Sequence, residues 1–221
     1  MTAAGKRIVG ITVVAAIVCV AIGLYIGLYL TNVPGSAAAT QTSSGKHLYL
    51  GTVPAAELTD RHPTWVSYYV VDSNSANWQH VTTFVLPANT VVQVTIYNYD
   101  GASALRNNWF GQATGTIGGV ISLNGKTMKS IDPDSASHVF SIPQIGLAVP
   151  IMGVADDAKN PCGNAPCSLS FDHTTTTFTF RTPGKGLYRW QCFVPCAAGY
   201  IAGFGGPMQT VGYMDGFIKV V

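Results

Sequence analysis

Cys192 and Cys196 enclose Phe193, Val194 and Pro195, and Cys192 closes a stretch in which Tyr188, Trp190 and Cys192 alternate onto one face. A strand that ends in cysteine and runs into a Gly-rich, Met-containing loop, here reaching Met208, brings thiolate and thioether sulfur together. With an imidazole added, these are soft donors that stabilise Cu(I) and still accept Cu(II). His138, in Ser-His-Val-Phe-Ser-Ile, can supply the imidazole from a strand of its own. The candidate metal ligands are therefore His138, Cys192, Cys196 and Met208. The alternative is a disulfide between Cys192 and Cys196 in an oxidising compartment, with His138 structural. Cys162 and Cys167 flank Gly-Asn-Ala-Pro in a loop-like segment, and such a pair reads as a disulfide pinning that loop.

Strands must position these residues. Residues 65–72 are dense in Val and Tyr, and 81–86 follow with Pro87 as a stop. In residues 90–98, Val92, Val94 and Ile96 alternate with Gln93 and Thr95, the period of a half-buried strand. Residues 137–142, 174–181, 186–194 and 216–221 complete the set. No stretch after residue 45 carries a helical period free of Gly or Pro. Repeated short strands with turn signals between them predict an all-β fold, a β-sandwich or Greek-key barrel.

Ahead of that domain, residues 8–30 contain neither charge nor Pro. At about 1.5 Å per residue the run can cross a hydrocarbon core of about 30 Å. Lys6 and Arg7 precede it and the next basic residue is Lys46, so the positive-inside rule leaves 1–7 cytoplasmic. The expected organisation is a cytoplasmic N-terminus (1–7), a transmembrane anchor (8–30), a Ser/Thr/Ala/Gly-rich tether (31–45) and an extracytoplasmic domain (46–221). A cleaved signal peptide is the competing reading, but its apolar region is usually shorter. The expected localisation is a single-pass protein of the cell membrane.

Charge excludes one class of partner. With Lys6 and Arg7 set aside, the remaining basic side chains equal the 10 acidic ones, so the exported part is formally neutral. A neutral domain with scattered charge has no nucleic-acid footprint. Hydrolytic motifs are missing as well: there is no Ser-His-Asp arrangement, phosphate loop or dinucleotide fingerprint. Glu57 is the only glutamate, which excludes chemistry by paired glutamates.

The stretch 137–146 with Val149-Pro150, then Pro183-Gly184-Lys185-Gly186, Tyr188, Trp190-Gln191-Cys192, Pro195-Cys196 and the closing 212–217 resembles the cupredoxin domain of cytochrome c oxidase subunit II. The resemblance spans roughly residues 80–221 and implies a cupredoxin-like Greek-key β-sandwich. In that family a histidine of the first block, two cysteines with three residues between them, a second histidine and a methionine hold a binuclear copper (CuA) centre. Here His138 matches the first histidine, and Cys192 and Cys196 match the cysteines. Tyr200 stands where the second histidine is expected and Gly203 where the methionine is expected, so the motif is degenerate. A phenol with a pKa of about 10 is a poor ligand at neutral pH. A mononuclear copper on His138, a cysteine and Met208 therefore fits better than a binuclear centre, with a metal-free site as the remaining outcome. His47, His62, His80 or His173 could complete the set, and no spacing singles one out.

The resemblance implies a non-catalytic subunit of an oxidoreductase complex, docked on a polytopic membrane oxidase-type subunit of a respiratory chain. Subunit II proteins of quinol-oxidising enzymes lack the copper centre, so a lost metal agrees with that implication; one anchor where the family usually carries two departs from it. The alternatives are a free-standing, membrane-tethered mononuclear copper protein for electron transfer or copper handling, and a copper-bearing subunit of a membrane monooxygenase.

Overall fold

The computed structural model describes residues 3–25, 36–38, 40–42, 45–54, 65–196 and 206–221. Tyr200, Gly203 and His62 lie outside the described residues. The chain divides into two units, Met1–Val33 and Pro34–Val221.

The first unit carries one helix, α1 (Ala3–Tyr25). Val9, Ile11, Val14, Ile17, Val20 and Leu24 are all exposed along it. Its described side chains begin at Val9, and from there to Tyr25 the helix rises about 25 Å at about 1.5 Å per residue. Among the described residues, no helix is long and apolar enough to cross a membrane. The expected anchor runs on through residues 26–30, outside those described.

The second unit is the all-β domain the periodicity predicts, built as two sheets around one core. One sheet holds β1 (Ser36–Ala38), β6 (Thr83–Leu86), β10 (Ala136–Ile142), β11 (Leu147–Met152), β13 (Gly186–Gln191) and β14 (Asp215–Val220), in the order β1-β6-β14-β13-β10-β11. The other holds β3 (Gly45–Val53), β4 (Ser67–Val71), β5 (Trp78–Gln79), β7 (Val91–Asn98), β8 (Ile121–Leu123), β9 (Lys126–Met128) and β12 (Thr174–Arg181), in the order β5-β4-β3-β7-β12-β8-β9. A short β2 (Thr40–Thr42) pairs with β3. The chain changes sheet repeatedly, and β3/β7 and β6/β14 pair in parallel, which no simple meander of hairpins produces. Within the stretch read as a tether, β1 adds to β6 and β2 to β3, so the sheets begin ahead of Lys46.

The core is aromatic where it lies under the candidate ligands. Trp190 stacks on Phe84 and Phe140, with ring centroids 5.6 Å apart in both pairs, and its Nε1 donates to the Thr82 carbonyl at 2.8 Å. Tyr68 meets Trp190 edge-on at 5.1 Å. Opposite Trp190 on β14 is Gly216, where a Cβ would run into the Thr82 carbonyl and the indole nitrogen. Cys162 and Cys167 are disulfide-bonded, as their spacing predicts. They pack in a smaller cluster with Val53, Tyr69, Val71, Tyr97 and Tyr99.

Candidate metal centre

β10 and β13 are antiparallel neighbours with Ser141 opposite Gln191. That register puts His138 of β10 beside the turn that follows β13, where Cys192 and Cys196 sit. One nitrogen of His138 and the two sulfurs lie within 4.8 Å of one another, and all three residues are fully buried. Three of the four ligands expected from sequence therefore meet.

The turn is held from several sides. Cys192 N–H donates to the Met214 carbonyl at 2.9 Å. Phe193 stacks on Phe110, with centroids 4.7 Å apart, outside the ligand cluster. Gln191 Nε2 donates to the Met208 carbonyl at 3.0 Å, which ties the 206–209 turn to the end of β13. Behind that turn the buried Asp215 carboxylate takes Arg189 Nε at 2.9 Å. Met208 is buried in the same core cluster as both cysteines.

The two cysteines are free thiols with sulfurs 3.0 Å apart, and they differ in surroundings. Cys192 Sγ accepts the backbone N–H groups of Val139 and Val194, each at 3.4 Å. Cys196 Sγ donates to the Val194 carbonyl at 3.0 Å. Burial alone would raise both thiol pKa values. For Cys192 the hydrogen bonds from Cys196, His138 and Val139 overcome burial and hold it well below its ordinary value. Cys196 is pushed well up, by burial and then by the neighbouring Cys192 charge. Cys192 is thus the more acidic thiol of the pair.

His138 presents Nδ1 to Cys196 Sγ at 3.4 Å and Nε2 to Asp100 Oδ2 at 3.2 Å. The second contact is close enough for an ion pair but off the line of a hydrogen bond, so Nε2 lacks a well-aligned acceptor. Burial lowers the imidazole pKa, and Asp100 with Cys192 more than offsets it, raising His138 to about 9. Asp100 follows the end of β7, with its carboxylate at the edge of solvent, and nothing in its sequence neighbourhood marked it as part of the site. A ligating imidazole with its far nitrogen on a carboxylate is the usual outer shell of a protein metal site.

The remaining described histidines are engaged elsewhere. His47 Nε2 pairs with Thr95 Oγ1 at 2.9 Å, His80 Nε2 with Ser67 Oγ at 2.9 Å and the Gly212 carbonyl at 2.5 Å, and His173 Nδ1 with the Phe171 carbonyl at 2.8 Å. Among the described residues none of them joins the His138 cluster.

A buried nitrogen and two sulfurs, one of them on a thiol of lowered pKa, suit a soft or borderline ion such as copper. These residues fit the metal that the sequence pattern implies.

No protein-family model matches the chain, and no curated protein matches it. Among solved structures it is similar to the copper protein rusticyanin, at 18% identity and a TM-score of 0.33, over 84% of this chain and 82% of that one. Rusticyanin from Thiobacillus ferrooxidans matches at 18% identity and a TM-score of 0.31, over 90% and 92% of the two chains. Auracyanin B matches at 17% identity and a TM-score of 0.28, over 86% and 99%. At these identities and scores the likeness carries no argument about this chain's chemistry.

Proposed function

We propose that this chain is a cupredoxin-like, membrane-tethered copper protein that passes single electrons through a centre on His138, Cys192 and Cys196. One observation carries the reading: these three donors, distant in sequence, converge within 4.8 Å in a fully buried site. Bound copper supplies one-electron redox chemistry there. The chain's own residues set the conditions: Cys192 provides the more acidic thiol, Asp100 orients the imidazole, and the Trp190 and Phe140 floor excludes water. Met208 lies buried in the same core cluster and is not counted among the three donors of this centre.

The anchor belongs to this reading. It is supported by the charge-free run 8–30 behind Lys6 and Arg7, and by the apolar side chains exposed along α1. An evenly apolar helix calls for a lipid or protein environment. The basic flank of Lys6 and Arg7 supports a copper domain outside the cytoplasm.

The test is to load the purified full-length protein with Cu(II) and record its optical spectrum. The reading expects thiolate-to-copper charge-transfer colour, bleached by one electron and restored on reoxidation. A colourless protein with Cys192 and Cys196 oxidised to a disulfide overturns it, and so does a colourless site that takes only zinc.

A second reading is a subunit II-like component of an oxidase-type membrane complex. The observation favouring it is that two cysteines, not one, face His138, with sulfurs 3.0 Å apart. A mild-detergent pull-down that recovers a haem-bearing polytopic partner supports it, and recovery of this chain alone overturns it.

A further inference from the structure

Tyr68 reaches the candidate centre from the opposite sheet. It lies on β4, opposite Thr52 of β3, and is fully buried. Its ring packs edge-on against Trp190 at 5.1 Å and Phe140 at 6.0 Å, and lies 6.4 Å from the His138 ring. Trp190 stands two residues before Cys192 on β13, and Phe140 two residues after His138 on β10. Residues two apart on a strand share a face, so Tyr68 covers the strip of the first sheet that carries the ligands. Its backbone N–H donates to the Tyr213 carbonyl at 3.3 Å, which ties β4 to the segment preceding β14.

The hydroxyl is the unexplained part. Tyr68 Oη is completely buried and has no hydrogen-bond partner among the described residues. An unpaired buried hydroxyl destabilises a fold that phenylalanine would fill equally well. At neutral pH the phenol keeps its proton and is a donor in search of an acceptor. The donor set beside it has the complementary deficit, because three protein ligands leave a position on a four-coordinate ion open.

We propose that Tyr68 is a positioning residue of this centre, its hydroxyl donating a hydrogen bond to an oxygen ligand, water or a small anion, held at the open position of the metal. The proposal rests on the copper reading above. Loading then gives the hydroxyl its partner, and the orphan group exists only in the metal-free protein.

The test compares full-length wild type with Tyr68→Phe. Copper affinity is measured with Cu(II) in competition with a chelator, together with the optical and electron paramagnetic resonance spectra and the melting temperature of each metal-free form. The expected result has two opposite signs. The metal-free variant melts roughly 2–4 °C higher, because the orphan hydroxyl is gone. It also binds Cu(II) about tenfold more weakly, with a shifted spectrum.

Equal affinity and identical spectra overturn the proposal and leave the hydroxyl as an unsatisfied core atom. A metal-free variant that melts lower also overturns it, since the hydroxyl would then have a protein partner. If wild type binds no copper, both this proposal and the copper reading fall; if wild type binds copper and Tyr68→Phe equals it, only this proposal falls.

Discussion

His138 and Asp100 meet at 3.2 Å through Nε2 and Oδ2, leaving Nδ1 as the nitrogen that faces the two cysteines. This contact fixes which nitrogen can serve as a ligand. Asp100→Asn keeps the shape and removes the charge. The expected outcome is a 10–100-fold loss of metal affinity, the usual cost of breaking an outer-shell partner of a ligating histidine. A chelator competition titration checks it, and an unchanged dissociation constant would show that Asp100 plays no part.

The metal-free, reduced protein should show a stability plateau with losses on both sides. Between about pH 6.5 and 9 the folded state holds more proton than the unfolded chain on His138 and less on Cys192, so the two effects oppose each other. Below pH 6.5 the unfolded His138 is protonated too, while Cys192, held down in the folded state, still binds less proton there than in the unfolded chain, so stability falls as pH falls. His47 and His80, held below their ordinary value by burial, act in the same direction. Above pH 9 the unfolded thiols ionise while Cys196 stays a thiol, and stability falls as pH rises. Melting curves from pH 5.5 to 10.5 in a reductant check this, and a steady slope across pH 7–9 would contradict it.

The opposite pKa shifts separate the two cysteines. Cys192→Ser is expected to abolish charge-transfer colour, because Cys192 is the more acidic thiol and accepts two backbone N–H groups. Cys196→Ser is expected to retain a coloured centre with lower affinity. Optical titration of both variants decides it, and loss of colour in both would point to a pair acting as one unit.

The aromatic floor makes a prediction about stability alone. Trp190→Ala should cost about 3–5 kcal/mol, the usual range for deleting a buried tryptophan. Gly216→Ala should also be strongly destabilising, because its Cβ meets the Thr82 carbonyl and the indole nitrogen. Urea unfolding of the metal-free domain measures both, and a Gly216→Ala variant as stable as wild type would mean that the β6–β14 pair can separate to make room.

The site was largely legible before the fold. His138 and the Cys192–Cys196 pair were marked by residue type and strand context, and Cys162–Cys167 by spacing in a loop. Strand β7 was marked by strict alternation, and residues 174–181 were read as the strand that is β12. The hairpin β8–β9 carried a recognisable Asn124-Gly125 turn, and both residues adopt positive φ, yet three-residue strands give too short a period to detect. β11 hid behind Pro150, which sits in an outermost strand of its sheet where a missing N–H is tolerated. Asp100 and Tyr68 could not be read at all. Each reaches the centre from the opposite sheet, and which residues face one another across a sandwich depends on how the sheets pack, not on local pattern.

The strand order also has a consequence for assembly in time. β14 lies between β6 and β13, so the cysteine-bearing strand gains its second neighbour only once residues 215–220 have been made. Until then β13 is a sheet edge, and the turn from Cys192 to Cys196 lacks the Met214 carbonyl that anchors it. A chain still on the ribosome therefore displays two unprotected thiols. Metal loading therefore belongs after the chain is complete, and a thiol-protecting factor would act in that interval.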